Sequence, residues 1–129
     1  MSKPRRDLHF LIDILEAGEH IATYIEGLDY EDFLDSQLVQ DAVMRNLQII
    51  GEAVKRLSPE TRVEHPDVPW REMAGLRDRI VHDYFGIDYE VVWSVIAEEL
   101  PDLVPLVEAI ADSQEREANS SSSAGTEPG

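Results

Sequence analysis

Between Leu8 and Leu28 the residues Phe10, Leu11, Ile14, Leu15, Gly18, Ile21, Ala22, Ile25 and Leu28 recur three and four apart. That spacing marks one face of an amphipathic helix. Asp35 or Ser36 can cap a second helix, in which Val39, Val43, Leu47, Ile50, Val54 and Leu57 form a stripe widened by Leu38, Ala42 and Ile49. A stripe so wide places this helix centrally. Ser58-Pro59-Glu60 reads as a cap, a first-turn proline and an acid, starting a short connector helix that ends before Pro66. A third long helix is predicted from Trp70 to Phe85, with Met73, Leu76, Ile80 and Tyr84 inward and Gly86 as its terminator. Asp88 then caps a fourth carrying Tyr89, Val92, Trp93, Ile96 and Leu100, with a kink or short break at Pro101 before Leu103, Leu106, Val107 and Ile110 resume the phase. No strand alternation and no internal repeat occurs. The expected fold is all-α, an up-and-down bundle of four long helices plus a short connector.

A chain of 129 residues accommodates one ordinary domain. Residues 1–111 form the expected helical domain, and the Ser-rich, acidic stretch 112–129 has so little to bury that a disordered tail is expected. No apolar run reaches the ~18 residues that cross a bilayer, and the opening MSKPRRDLHF lacks a secretory core, so a cytoplasmic protein away from membranes is expected. The absence of cysteine excludes disulfide scaffolds, zinc ribbons and thiol nucleophiles. The 27 acidic against 11 basic residues, a formal charge of −16, argue against broad charge-driven nucleic-acid binding. Any cationic site must be local.

Of the four histidines, His9 and His20 share a helix face with Asp13 and Glu16, a spacing that could supply metal ligands but equally describes a solvated polar face. The Glu-x-x-His pairs and the carboxylates from several helices that a di-metal bundle needs are missing, so no metal site is assigned. His65 precedes Pro66 in the connector, as an exposed loop residue. His82 differs, because Arg77, Asp78, Arg79, Asp83 and Tyr84 crowd around it in a segment that must also face the core. An ordinary charged outer face, with Arg79 pairing Asp83 and Asp78 pairing His82 at i, i+4, would account for the same residues.

On one continuous helix, Arg77 and His82 point about 140° apart, whereas Arg77 and Tyr84 share a face about 10 Å apart along the axis. A site using both arginine and histidine is assembled most simply by two copies of the helix across a twofold axis, which predicts a homodimer with Tyr84 at the rim of its cleft. Histidine can move a 2′-hydroxyl proton and arginine's planar fork can hold a phosphate as charge grows on its oxygens. That chemistry cuts RNA, and not DNA, without a metal.

These residues carry a resemblance. The chain resembles the HepT-like toxins of the HEPN superfamily, the higher-eukaryote-and-prokaryote nucleotide-binding domain proteins, over roughly Arg5 to Ile110. The resemblance rests on IIGEAVKRLSPE at Ile49–Glu60, VPWREMAGLRDRIVHDYFGID at Val68–Asp88, and the VVW and ELPDL segments. The family motif R-x-x-x-x-H-x-Y is met by Arg77, His82 and Tyr84, with the frequent polar residue after the arginine present as Asp78. The resemblance implies a metal-independent endoribonuclease, the toxin of a type VII-like toxin–antitoxin pair, acting on tRNA or mRNA at a homodimer cleft. It also implies an MntA-like nucleotidyltransferase antitoxin that transfers AMP from ATP to the motif tyrosine, here Tyr84. The toxin itself has no cofactor.

On this reading His82 is the general acid/base, Arg77 stabilises the phosphate, and Asp78 orients His82. Arg71, Arg79 and Arg45, doubled in the dimer, supply RNA contacts against the prevailing acidity. Glu52 is either an outward surface acid or a partner for Arg77 or Arg45. Gly51 costs its helix about 1 kcal/mol relative to alanine, which points to another backbone packed against it. Trp70 and Trp93 are core or dimer-contact aromatics. The competing reading is a non-catalytic helical partner of a nucleotidyltransferase, which strong acidity suits, whereas the intact arginine, histidine and tyrosine favour the enzyme.

Overall fold

The computed structural model describes residues 3–126, with side chains placed over 7–120. Helix α1 (Lys3–Ile25) packs along α3 (Gln37–Arg56) and along α8 (Leu100–Thr126), and this three-helix contact holds the core. The periodic residues do the burying: Leu11, Ile14, Ala17 and Ile21 from α1, Val43, Leu47, Ile50 and Val54 from α3, and Leu100, Val107, Ile110 and Ala111 from α8. The architecture is all-α, as the periodicity predicts.

Short polar residues set the helix starts. α1 ends before Gly27, whose φ of +78° turns the chain. Asp29 then forms a capping box with Asp32, starting the five-residue α2 (Tyr30–Leu34), which the sequence reading did not foresee and which buries Phe33. Ser36 caps α3, and Ser58 with Pro59 behind it starts α4 (Pro59–Glu64).

Two stretches depart from the expected bundle. The third long helix does not exist as one unit. It is α5 (Trp70–Ala74), a break at Gly75, α6 (Leu76–Ile80), and then a hairpin of β1 (Val81–His82) and β2 (Gly86–Ile87). The fourth begins as α7 (Tyr89–Ser94), capped by Asp88, and passes through a π-turn at Val95–Glu99 into α8. The irregularity expected at Pro101 takes this form: proline has no N–H to donate backward and its ring crowds the carbonyl four residues earlier, and a widened turn relieves both.

α8 runs through Thr126. Its Gln114 is buried and donates from Nε2 to Thr61 Oγ1 at 3.2 Å. Thr61 belongs to a buried polar clasp. The Asp7 carboxylate, fully buried, accepts from the Ser58 N–H at 3.0 Å and from the hydroxyls of Ser58 and Thr61. The start of α1, the start of α4 and the continuation of α8 are thereby tied together. The last three residues of the expected tail, 127–129, lie outside the described residues.

Candidate active site

The motif residues occupy the segment between Pro69 and Asp88. Trp70 is buried there, its indole N–H donating to the His65 carbonyl at 3.0 Å, and Trp93 packs on Phe33 at 5.4 Å. Trp70 is therefore a core residue, and Trp93 is half-buried against the core. α5 approaches α3 at Gly51, where a Cβ would stand 3.5 Å from the Met73 carbonyl oxygen and 3.7 Å from that of Ala74. A backbone does pack there, as expected, but at an ordinary contact distance that leaves room for a methyl.

In α6 the buried Leu76 and Ile80 face the core, which turns Arg77 and Asp78 to solvent. The helix then stops. Val81 is extended (φ −102°, ψ 124°), and a three-residue turn closes with Phe85 N–H donating to the His82 carbonyl at 3.2 Å and Gly86 at φ +75°. His82 pairs with Gly86 and Val81 with Ile87. Tyr84 and Phe85 stand at the tip, 96% and 89% exposed. Tyr84 thus does not face inward, and the angular relations expected on a continuous helix do not apply to Arg77, His82 and Tyr84.

Arg77 shares a groove of about 600 Å³ with Arg45, Lys55, Glu52, Asp41 and Gln48. α3 forms one wall, and the stretch from Ala74 to Val81 forms the other. Glu52 is exposed and accepts from Gln48 Nε2 at 3.4 Å. Among the described residues no ion pair joins it to Arg77 or Arg45, although all three line the same groove. His82, Asp78, Tyr84, Arg71 and Arg79 do not line this groove.

The partner of His82 is not Asp78. With α6 ending at Ile80 the i, i+4 relation is lost, and Nε2 of His82 lies 3.4 Å from Oδ2 of Asp88. Sequence reading had given Asp88 only its role as a helix cap. The signal for more was present in the spacing, because a Gly four residues after His82 between β-branched Val81 and Ile87 suits a tight hairpin that folds residue 88 back. Arg79 does not pair with Asp83 either. Its fork makes two hydrogen bonds to Glu99 in the π-turn, at 3.0 and 2.9 Å. Those bonds hold the Glu99 carboxyl below and the Arg79 guanidinium above their ordinary ranges. RNA contact by Arg79 would have to compete with this pair. Arg71 is exposed on α5.

The polar face of α1 does not converge. His9 Nε2 lies 3.7 Å from Asp13, whereas His20 turns its Nδ1 to Asn46 at 3.3 Å. Among the described residues, no group of three or more His, Asp or Glu is disposed to hold a metal ion.

The segment between Pro69 and Asp88 thus presents an exposed histidine with a carboxylate at 3.4 Å, an exposed phenol two residues on, and an arginine in a neighbouring groove. The ribonuclease HepT-like family model covers residues 14–110. The chain belongs to this family. A relative named "Probable ribonuclease HepT" from Thermococcus cleftensis is 43% identical over 103 residues, spanning 80% of this chain and 92% of its own. A "Putative RNase" of Methanocaldococcus jannaschii is 40% identical over 119 residues, 91% of this chain and 98% of its own. Another of that name from Caldanaerobacter subterraneus is 42% identical over 101 residues, 78% of this chain and 90% of its own. No solved structure matches the chain.

Proposed function

We propose that this HepT-like chain is an endoribonuclease that cleaves RNA through the RNA's own 2′-hydroxyl. The observation that carries the reading is the exposure of Arg77, His82 and Tyr84 within one eight-residue stretch of a family member. His82 takes the 2′-hydroxyl proton, the freed oxygen attacks phosphorus, and the bond to O5′ breaks as that oxygen gains a proton. The products are a 2′,3′-cyclic phosphate and a 5′-hydroxyl. Arg77 holds the phosphoryl oxygens as charge builds on them. The reaction balances without a metal ion, and its substrate class is tRNA or mRNA.

Arg77 lines the α3 groove and His82 does not, so a second copy of the chain bringing its hairpin to this groove would complete the site. A homodimer with two such composite sites is the proposed active form. Tyr84, at the hairpin tip, is open to an MntA-like nucleotidyltransferase antitoxin that uses ATP to place AMP on its hydroxyl. The added bulk and negative charge beside His82 would repel RNA phosphate. The chain would thus be the toxin of a toxin–antitoxin pair.

The test is cleavage of total tRNA and of a long single-stranded RNA in excess chelator, by wild type free of Tyr84 adducts and by Arg77→Ala and His82→Ala. Cleavage by wild type alone is expected. Equal cleavage by the variants would refute the site. An inert, unmodified wild-type dimer would favour the non-catalytic partner reading.

A further inference from the structure

Asp88 is held at three points. Its N–H donates to the Ile80 carbonyl at 2.7 Å, which closes the hairpin behind the β1–β2 pairs. Its Oδ1 accepts from the Val91 N–H at 3.2 Å as the cap of α7. Its Oδ2 lies 3.4 Å from His82 Nε2. The first of these contacts fixes the backbone of Asp88 and the second its carboxylate, so the approach of Oδ2 to the imidazole, at ion-pair distance, requires little further ordering. Among the described residues, the ion pair of His82 is with Asp88 and not with its sequence neighbours. Asp78 is on α6, exposed, and Asp83 lies in the turn, also exposed. On the other side Asp88 bears on Tyr30 of α2, whose phenol is raised first by desolvation and then by Glu90, Glu31 and Asp88.

We propose that Asp88 is the positioning residue for His82, holding its imidazole as the Nε2–H tautomer and leaving Nδ1 to exchange the proton with RNA. The proposal rests on the ribonuclease reading. A carboxylate has only acceptors to offer, so closing the 3.4 Å approach into a hydrogen bond requires the hydrogen on Nε2, and the other nitrogen of a neutral imidazole is then the base. One residue thus starts α7, closes the hairpin and sets the tautomer of the histidine across it.

The helix cap and the tautomer can be separated. Asn caps helices about as well as Asp, so Asp88→Asn keeps α7, but it can turn an N–H₂ donor toward His82 Nε2 and favour the opposite tautomer. Asp88→Ser keeps a capping hydroxyl too short to reach the ring. Ring ¹⁵N NMR of full-length, unmodified protein is expected to show Nε2–H at His82 in wild type and Nδ1–H in Asp88→Asn. On RNA, Asp88→Asn is expected to lower kcat by roughly 10²- to 10⁴-fold with KM little changed, the behaviour of a wrong-tautomer histidine, and Asp88→Ser by less. A wild-type Nδ1–H ring, or a tautomer unchanged in Asp88→Asn, would overturn the geometry whatever the activity. An Asp88-controlled tautomer with equal kcat in an active enzyme would overturn the positioning role alone. Wild type that cuts no RNA would overturn the ribonuclease reading and this role with it.

Discussion

Gly86 sits at φ +75°, a region that costs an L-residue roughly 1 kcal/mol or more, and the hairpin turn depends on it. Gly86→Ala is therefore expected to lower stability by about 1 kcal/mol and to cut RNA cleavage, because His82 and Asp88 face each other only across this turn. Urea melts and the cleavage assay check both effects. Gly51 behaves oppositely. A methyl there would meet the Met73 carbonyl at ordinary contact distance, so Gly51→Ala should gain up to about 1 kcal/mol of helix propensity without a clash. A decrease in stability would show that α5 sits closer than its carbonyls indicate. At Asp7, truncation to Ala strips partners from a buried N–H and two buried hydroxyls, an expected loss of about 2 to 4 kcal/mol in the same melts. The N-caps Ser36, Ser58 and Asp88 were legible in the sequence because a cap is a local signal. The partnership of Asp7 with residues more than fifty positions away was not, because no periodicity reports a long-range polar contact.

Among the elements, α1, α3 and the apolar phase leading into α8 were readable because each buries one face at helical spacing. The segment after Gly75 was misread for a physical reason. Met73, Leu76 and Ile80 do point inward at that spacing, but two five-residue helices with a break between them produce the same pattern as one long helix. Tyr84 extends the pattern by coincidence, and its exposure at the hairpin tip shows where the helix has already ended. The π-turn has a structural consequence, since it carries Glu99, whose carboxylate anchors Arg79 of α6. Glu99 lies below its ordinary 4.5, so this pair contributes fully above that pH and loses its contribution as pH falls through the folded value. Both side chains are over a third exposed, so solvent screening limits the contribution to about 0.5 kcal/mol. Melts of Glu99→Gln against wild type should differ slightly at pH 7 and converge below pH 4.5. A difference that grew on acidification would contradict the pair.

For the molecule as a whole, a formal charge of −16 sets the terms on which RNA could approach. The cations of the α3 groove are Arg45, Lys55 and Arg77, set against Asp41 and Glu52, and Arg79 is already paired. RNA affinity should accordingly fall only shallowly with salt, as expected for a few phosphate contacts. The composite-site proposal has its own check. Mixing inactive Arg77→Ala with inactive His82→Ala should restore cleavage, because a heterodimer contains one site with both residues intact. Failure of mixed, subunit-exchanged protein to cleave would place both residues of each site in one chain. Family membership was legible in the sequence through the spacing of Arg77, His82 and Tyr84 taken together with Gly51-Glu52 and Pro69-Trp70 upstream. The placement of the three motif residues on a helix, a strand and a turn was not, because a linear motif fixes order and separation but not backbone shape.

The central claim is that His82 cuts RNA by moving a 2′-hydroxyl proton. End-group analysis of fragments made in chelator by unmodified wild type and by His82→Ala tests it most directly. The account predicts 2′,3′-cyclic phosphate and 5′-hydroxyl ends from wild type and intact RNA with His82→Ala. Ends carrying a 3′-hydroxyl, or the same fragments from both proteins, would contradict it.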